Sequence, residues 1–378
     1  MGAIQDVFRE YGPGYVDQFG DRMPGDHLKV INDIICCRTS ACGFAVYECN
    51  KCLTTHYLPR SCGNRHCPSC QHQKGLDWMD IQIERQIPTH HFMVTFTVPQ
   101  GIRPFIRSHQ RIAYDAMFKA SSETMKKLTK DDKFIGGDVP GFFGVLHTWG
   151  RTLNYHPHIH YVVAGGAWLN EDHSWHPSRP DFYLPVMAMS KIFRAKFRDQ
   201  MKDAGLLSKI PTEVWKQGWN VNVQATGSAE QSIKYLAHYV FKVAISDYRI
   251  VKVEDGKVTF KYRKPKSRRM RTMTLEAIEF IRRFLQNVLP SGFMKVRYYG
   301  FMNACSGVSA EQVRAAVELM QGFDISDPVV TDIIETQTAL ACPKCGAKLI
   351  YQYSVLPHQM CPPPCAELII KEQGRQNE

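Results

Sequence analysis

"HTWGRTLNYHPHIHYVVAGG", residues 147–166, sets His156, His158 and His160 on alternate positions and then runs into an apolar stretch. Alternate side chains of a β-strand share a face. The three imidazoles therefore line one side while Ile159, Tyr161 and Val163 take the other. Isolated histidines would read as a polar solvent face, but imidazoles spaced to converge on one ion suit a divalent metal. The preceding GFFGVLHTWG (141–150) also has strand character, and the turn-like GRTLNY joins it to the histidine strand (156–164). A hairpin centred in that turn sets position 147 across from position 158. A register slip of two residues keeps His147 on the face of His158 and His160, whereas a slip of one turns it away. His147 either completes a three-histidine site or packs beside Trp149.

Around this hairpin the periodicity alternates between two kinds. HHFMVTFTVP (90–99) and WNVNVQATG (219–227) read as further strands, and residues 102–128, 187–204 and those from Ser228 onward read as helices. The middle of the chain is thus an α+β unit, an antiparallel sheet with helices. In the last helix, SIKYLAHYVFK (232–242), Tyr235 and Tyr239 are four apart and Lys242 is three further on. On a helix they share one stripe. A core-facing aromatic pair has the same spacing, but a histidine strand upstream and a lysine nearby shift the reading toward chemistry. A phenol, with its ordinary pKa of ~10, can attack a phosphodiester if a metal draws charge from the phosphate and a cation such as Lys242 steadies the phenolate.

The 378 residues carry a net charge of +11, which favours a polyanionic partner. No apolar run reaches the ~20 residues of a membrane helix, and the start lacks a signal-peptide layout. A cytoplasmic, nucleoid-associated protein with no membrane partner is expected. Thirteen cysteines in a reducing compartment point to metal, and eight of them fall between residues 36 and 70. Cys49/Cys52 and Cys67/Cys70 are two CxxC knuckles, together enough for one structural zinc. Cys37, Cys42, Cys62 and His66 remain, either for a second ion or as spare thiols. Cys342, Cys345, Cys361 and Cys365 repeat the scheme as a zinc ribbon in the tail. The organisation expected is a zinc-binding DNA-recognition domain (1–86), a catalytic domain (87–250), a basic and helical region (251–330) and the ribbon with its tail (331–378). Within KYRKPKSRRMR (261–271), Lys261, Arg263, Lys264, Arg268 and Arg269 are candidate phosphate contacts, and Arg65 is another in the zinc domain.

With these residues in hand, the chain resembles the rolling-circle insertion-sequence transposases of the two-tyrosine HUH family. The likeness rests on His158-Ile159-His160 and on YLAHYVFKVAISDYRI. CRTSACGFAVYECNKC and SCGNRHCPSC look like the zinc-binding domain of that family, HHFMVTFTVP like its first catalytic strand, and MTLEAIEFIRRFLQNVLPSGFMKVRYYGF like its segment after the tyrosines. The resemblance implies a central HUH nuclease domain, metal ligation by His158 and His160, and nucleophilic Tyr235 and Tyr239. It also implies single-stranded DNA at element ends and target as substrate, Mg or Mn as catalytic ion, and a 5'-phosphotyrosine intermediate. A third ligand in such enzymes comes either from a neighbouring strand, which fits His147, or from one turn beyond the tyrosine, which fits His238; hairpin parity favours His147. Where the family often has histidine this chain has Asn287, which is assigned no role. A rolling-circle replication initiator, or a zinc-stabilised DNA-binding protein without activity, are the alternative readings.

Overall fold

A computed structural model describes residues 2–70, 72–240, 244–264, 269–322 and 340–357. Lys242, Arg268, Cys361 and Cys365 lie outside the described residues, as do the side chains of His238 and Tyr239. The described chain forms two compact units, one made of residues up to 70 with 340–357 and one of residues 72 to 322.

The larger unit is α+β and built on an antiparallel sheet. Its strands run, edge to edge, Val296–Tyr299, Val139–Trp149, Tyr155–Leu169, His91–Thr97 and Asn220–Gly227, with Ser174–Pro177 paired to the far end of Tyr155–Leu169. Pleating sorts the residues as the alternation predicts. Phe92, Val94 and Phe96, with Phe142, Leu146, Ile159, Tyr161 and Val163, bury one face under the helices Gln110–Thr129 and Val186–Asp203. On that face Tyr161 lies across Gly144, where an added Cβ would stand 2.3 Å from the ring, and its hydroxyl meets Ser121 Oγ at 2.6 Å. The helix expected over 102–128 is broken at His109 into Arg103–Ser108 and Gln110–Thr129.

The opposite face carries Phe143, Val145 and Val162 and is covered by the helix Ala229–Val240. The helix His72–Glu84 packs there too, through Trp78, Met79 and Ile83. Trp78 is edge-on to Phe143, and its Nε1 donates to Tyr298 Oη. The described parts of the basic stretch lie along two paired strands of a further sheet, in which Ile250–Glu254, Lys257–Arg263 and Met270–Glu276 form three antiparallel strands. Asp255 and Gly256, both at positive φ, make the two-residue turn between the first two strands. Arg151, in the turn between the two histidine-bearing strands, donates to the Arg263 carbonyl, and Arg249 donates to those of Lys261 and Arg151. Lys261, Arg263, Lys264 and Arg269 are exposed there.

The smaller unit has little apolar interior around its sheet. Helices Ala3–Phe19 and Gly25–Cys36 pack through Ile4, Val7, Phe8, Val30, Ile31 and Ile34. Strand Phe44–Cys49 lies between Thr55–Pro59 and Leu349–Val355. No helix among the described residues is long and apolar enough to cross a membrane.

Candidate functional site: a histidine centre and two thiol clusters

The metal-binding thiols are grouped otherwise than their spacing suggests. Cys49 and Cys52 do not share a site with Cys67 and Cys70. Cys37, Cys62, Cys67 and Cys70 form one cluster, and Cys49, Cys52, Cys342 and Cys345 the other. The expected tail ribbon is corrected with it, since Cys342 and Cys345 complete their cluster without Cys361 or Cys365. The cause is strand pairing. Leu349–Val355 runs antiparallel along Phe44–Cys49, with Leu349 opposite Cys49, and this sets the 342/345 knuckle beside the 49/52 knuckle. Cys67 and Cys70 instead meet Cys37, at the end of the second helix, where Gln5 and Arg9 both donate to its carbonyl. His66 is nearly buried but does not join the thiols, and Cys42 turns its Sγ to the Cys36 carbonyl.

Both clusters suit zinc. Sγ–Sγ separations are 3.3 Å for Cys37–Cys70, 3.5 Å for Cys62–Cys70, 3.4 Å for Cys49–Cys345 and 3.7 Å for Cys52–Cys342. These are far too long for disulfides. They approach the ~3.8 Å tetrahedron edge that follows from Zn–S bonds of ~2.3 Å. Backbone N–H groups of Lys51 and Cys52 point at Cys49 Sγ, as donors to a thiolate would. The Thr54 hydroxyl beside Cys52 brings its pKa down to about 6. In the other cluster the Cys62 thiol brings Cys37 down to about 7, while Cys37 pushes Cys62 and Cys67 up. Crowded thiols cannot all ionise without a cation among them.

In the larger unit the hairpin register is the one inferred from the turn: His147 pairs with His158, and Val145 with His160. Ligating atoms of His147, His158 and His160 all lie within 4.8 Å of one another. His147 also stacks on Trp149, so both readings of that residue hold at once. His156 ring-contacts His158 but stands outside the trio.

The surroundings fix the tautomer of one ring and hold another. His158 Nδ1 lies 2.6 Å from the His156 carbonyl, which can only accept, so the proton is on Nδ1 and Nε2 keeps its lone pair. His160 Nδ1 meets Thr95 Oγ1 at 2.9 Å across the adjoining strand. Burial depresses the pKa of all three, His158 to about 4 and the other two well below the ordinary imidazole value. Neutral imidazoles are the form that binds metal. Sequence reasoning missed Thr95, which becomes visible only once its strand is paired with the histidine strand. It also missed Arg103, whose positive charge adds to the depression of His156 and His158.

Tyr235 stands over this centre. Its ring is edge-on to that of His160, centroids 6.0 Å apart, while the residue keeps 42 % of its surface exposed. The helix that carries it is held by Ile233, Leu236 and Val240 on the sheet. Tyr239 follows one turn later in the same helix. Asn287 is buried and accepts a hydrogen bond from Thr148, next to His147 in sequence.

Residues 141–309 match a family described as "Putative transposase", and residues 7–98 one described as "Transposase zinc-binding domain". The chain is 32% identical over 392 residues to "Putative transposase y4qJ" of Sinorhizobium fredii, covering 96% of this chain and 97% of that protein. It is 25% identical over 356 residues to "Transposase for insertion sequence element IS801" of Pseudomonas savastanoi pv. phaseolicola, covering 87% and 84%. No solved structure gives a significant match.

Proposed function

Because the chain belongs to the IS91-type family of transposases, we propose that it cuts and rejoins single-stranded DNA through Tyr235, in rolling-circle transposition by an HUH-type mechanism. The supporting observation is the placement of an exposed phenol against the His147, His158 and His160 trio.

In the cutting step the Tyr235 oxygen bonds to phosphorus and the bond from phosphorus to the 3'-oxygen breaks. The phenol gives up its proton, the departing 3'-oxygen takes one up, and the 5'-phosphate stays on the tyrosine. Rejoining reverses these bonds with another 3'-hydroxyl, so no nucleotide triphosphate is consumed. A divalent ion held by the three histidines would polarise the phosphate. Three imidazole nitrogens suit Mn better than Mg, which prefers oxygen donors. Thr95 and the His156 carbonyl keep the His160 and His158 rings oriented. Arg103 adds positive charge beside the histidines. Tyr239, one turn on, would hold a second strand, and Lys242 would steady a phenolate. Lys261, Arg263, Lys264, Arg268 and Arg269, with Arg65 of the zinc unit, are proposed to bind phosphates.

The test is a denaturant-resistant adduct between the protein and labelled single-stranded oligonucleotides in Mn. Wild type forms it and Tyr235→Phe does not; equal adduct in the two would remove Tyr235 as nucleophile.

A further inference from the structure

Arg103 begins the helix Arg103–Ser108, on the chain that leaves the strand His91–Thr97 where Thr97 pairs with His158. One turn further along, Arg107 stands over the ring of Tyr155 at 5.8 Å, and Tyr155 precedes His156. Residues four apart share a stripe of a helix, so Arg103 lies toward the same end of the histidine strand. Its charge is felt there: burial is the main depressor of the His156 and His158 pKa values, and the Arg103 guanidinium adds to it. Arg103 itself is a half-buried cation with nothing to answer it. Among the described residues it makes no hydrogen bond or ion pair, and its Nε is buried without a partner. The two terminal nitrogens are not enclosed with Nε, so the outer edge of the guanidinium is open. Burial brings its pKa down, yet a guanidinium stays charged at any physiological pH.

No acid balances that charge at the histidines. Among the described residues, what acts on His147, His156, His158 and His160 is burial, their own neighbouring imidazoles and carbonyl, Arg103 and Lys295, and never a carboxylate. A part-buried cation without a partner costs stability, and an arriving anion removes that cost. Position along the strand says which anion. Tyr235 stands at His160, whereas Arg103 acts at the other end, on His156 and His158. At ~3.4 Å per residue, the run from His160 back to His156 spans ~14 Å. A stacked strand advances ~3.4 Å per nucleotide, so a phosphate at Arg103 is within about four nucleotides of one at Tyr235. The fork of N–H donors on a guanidinium matches the paired oxygens of a phosphate.

We propose that Arg103 grips one non-scissile phosphate of the DNA strand being cut, through the open edge of its guanidinium. The inference rests on the strand-cutting reading above and adds to it a substrate contact away from the scissile bond.

The experiment moves a single uncharged methylphosphonate linkage through about four linkages on each side of the cut and reads the initial rate of adduct formation in Mn. With wild type, one linkage should slow the reaction about tenfold, the size of one charge-assisted contact. Arg103→Gln should be about tenfold slower on ordinary DNA, and that linkage should then cost it less than about twofold more, because the partner is already gone. Arg103→Lys, which keeps the charge without the fork, should fall between the two. The melting temperature of Arg103→Gln should equal or exceed that of wild type, since no bond within the protein is lost. Equal sensitivity of wild type and Arg103→Gln at every linkage, or no sensitive linkage at all, overturns the contact, and a slower variant that also melts earlier marks Arg103 as structural. If wild type forms no adduct, the cutting reading fails separately, and anisotropy of the same oligonucleotides without metal still judges Arg103 by whether one linkage weakens binding in wild type and not in Arg103→Gln.

Discussion

Around the sheet of the zinc unit, thiols stand where an apolar interior would be: Cys49, Cys342 and Leu349 are its buried centre, with Tyr47 and Ala347 against them. The larger unit is the reverse, with a broad apolar layer of phenylalanines, tyrosines and aliphatics under a sheet whose histidines sit on the other face. In the first, the ion is part of what makes the chain fold. In the second, the apolar layer packs without an ion, and the three clustered histidines are the place proposed for one. The contrast teaches that metal removal should act on the two units in different ways, as loss of structure in one and loss of chemistry in the other.

The largest effect expected is from stripping zinc. A strong chelator should unfold the sheet of the zinc unit, since structural zinc supplies on the order of 10 kcal/mol, while hydrogen exchange in the strands His91–Thr97 and Tyr155–Leu169 stays protected. Loss of protection in both units together would break the contrast. Next in size, Tyr235→Phe should reduce adduct by about a thousandfold or more, yet shift stability by less than about 0.5 kcal/mol because the hydroxyl is on an exposed residue. A large fall in melting temperature would mark the tyrosine as structural.

The pH response separates the units further. His91 and His158 have folded pKa values of about 4, below the ordinary ~6.5 of an unfolded chain. Between those values the unfolded state binds more protons, so stability is full above pH ~6.5 and declines toward pH ~4, by up to ~1.4 kcal/mol per pH unit for each imidazole. Thermal melts of the protein without added Mn or Mg should show that decline, and added Mn should oppose it. A flat profile would mean that these rings are not buried neutral. Tyr161→Phe, which removes the bond to Ser121, should cost about 1 kcal/mol. Smallest of all, Cys361→Ser with Cys365→Ser should leave two zinc ions per chain by elemental analysis, because both clusters are complete without them.

The clustering of the histidines was legible because its information is local. A short turn between two strands leaves few registers, and the parity rule then puts His147 beside His158 from sequence alone. The thiol clusters were legible as metal sites but not in their partnership. A CxxC knuckle is a half-site, and nothing within it says which other half it meets; that is decided by the pairing of Phe44–Cys49 with a strand some three hundred residues away. Spacing made the near knuckles look like partners. Thr95 escaped for a related reason: it is an ordinary strand threonine until the neighbouring strand brings His160 beside it.

That long-range cluster also imposes an order on biosynthesis. Cys49 and Cys52 leave the ribosome early but must wait for Cys342 and Cys345, so a segment born near the beginning is finished near the end. A copy of the gene cut short by a frameshift between codons 240 and 342 would make the three clustered histidines and both tyrosines and still leave this cluster with half its thiols.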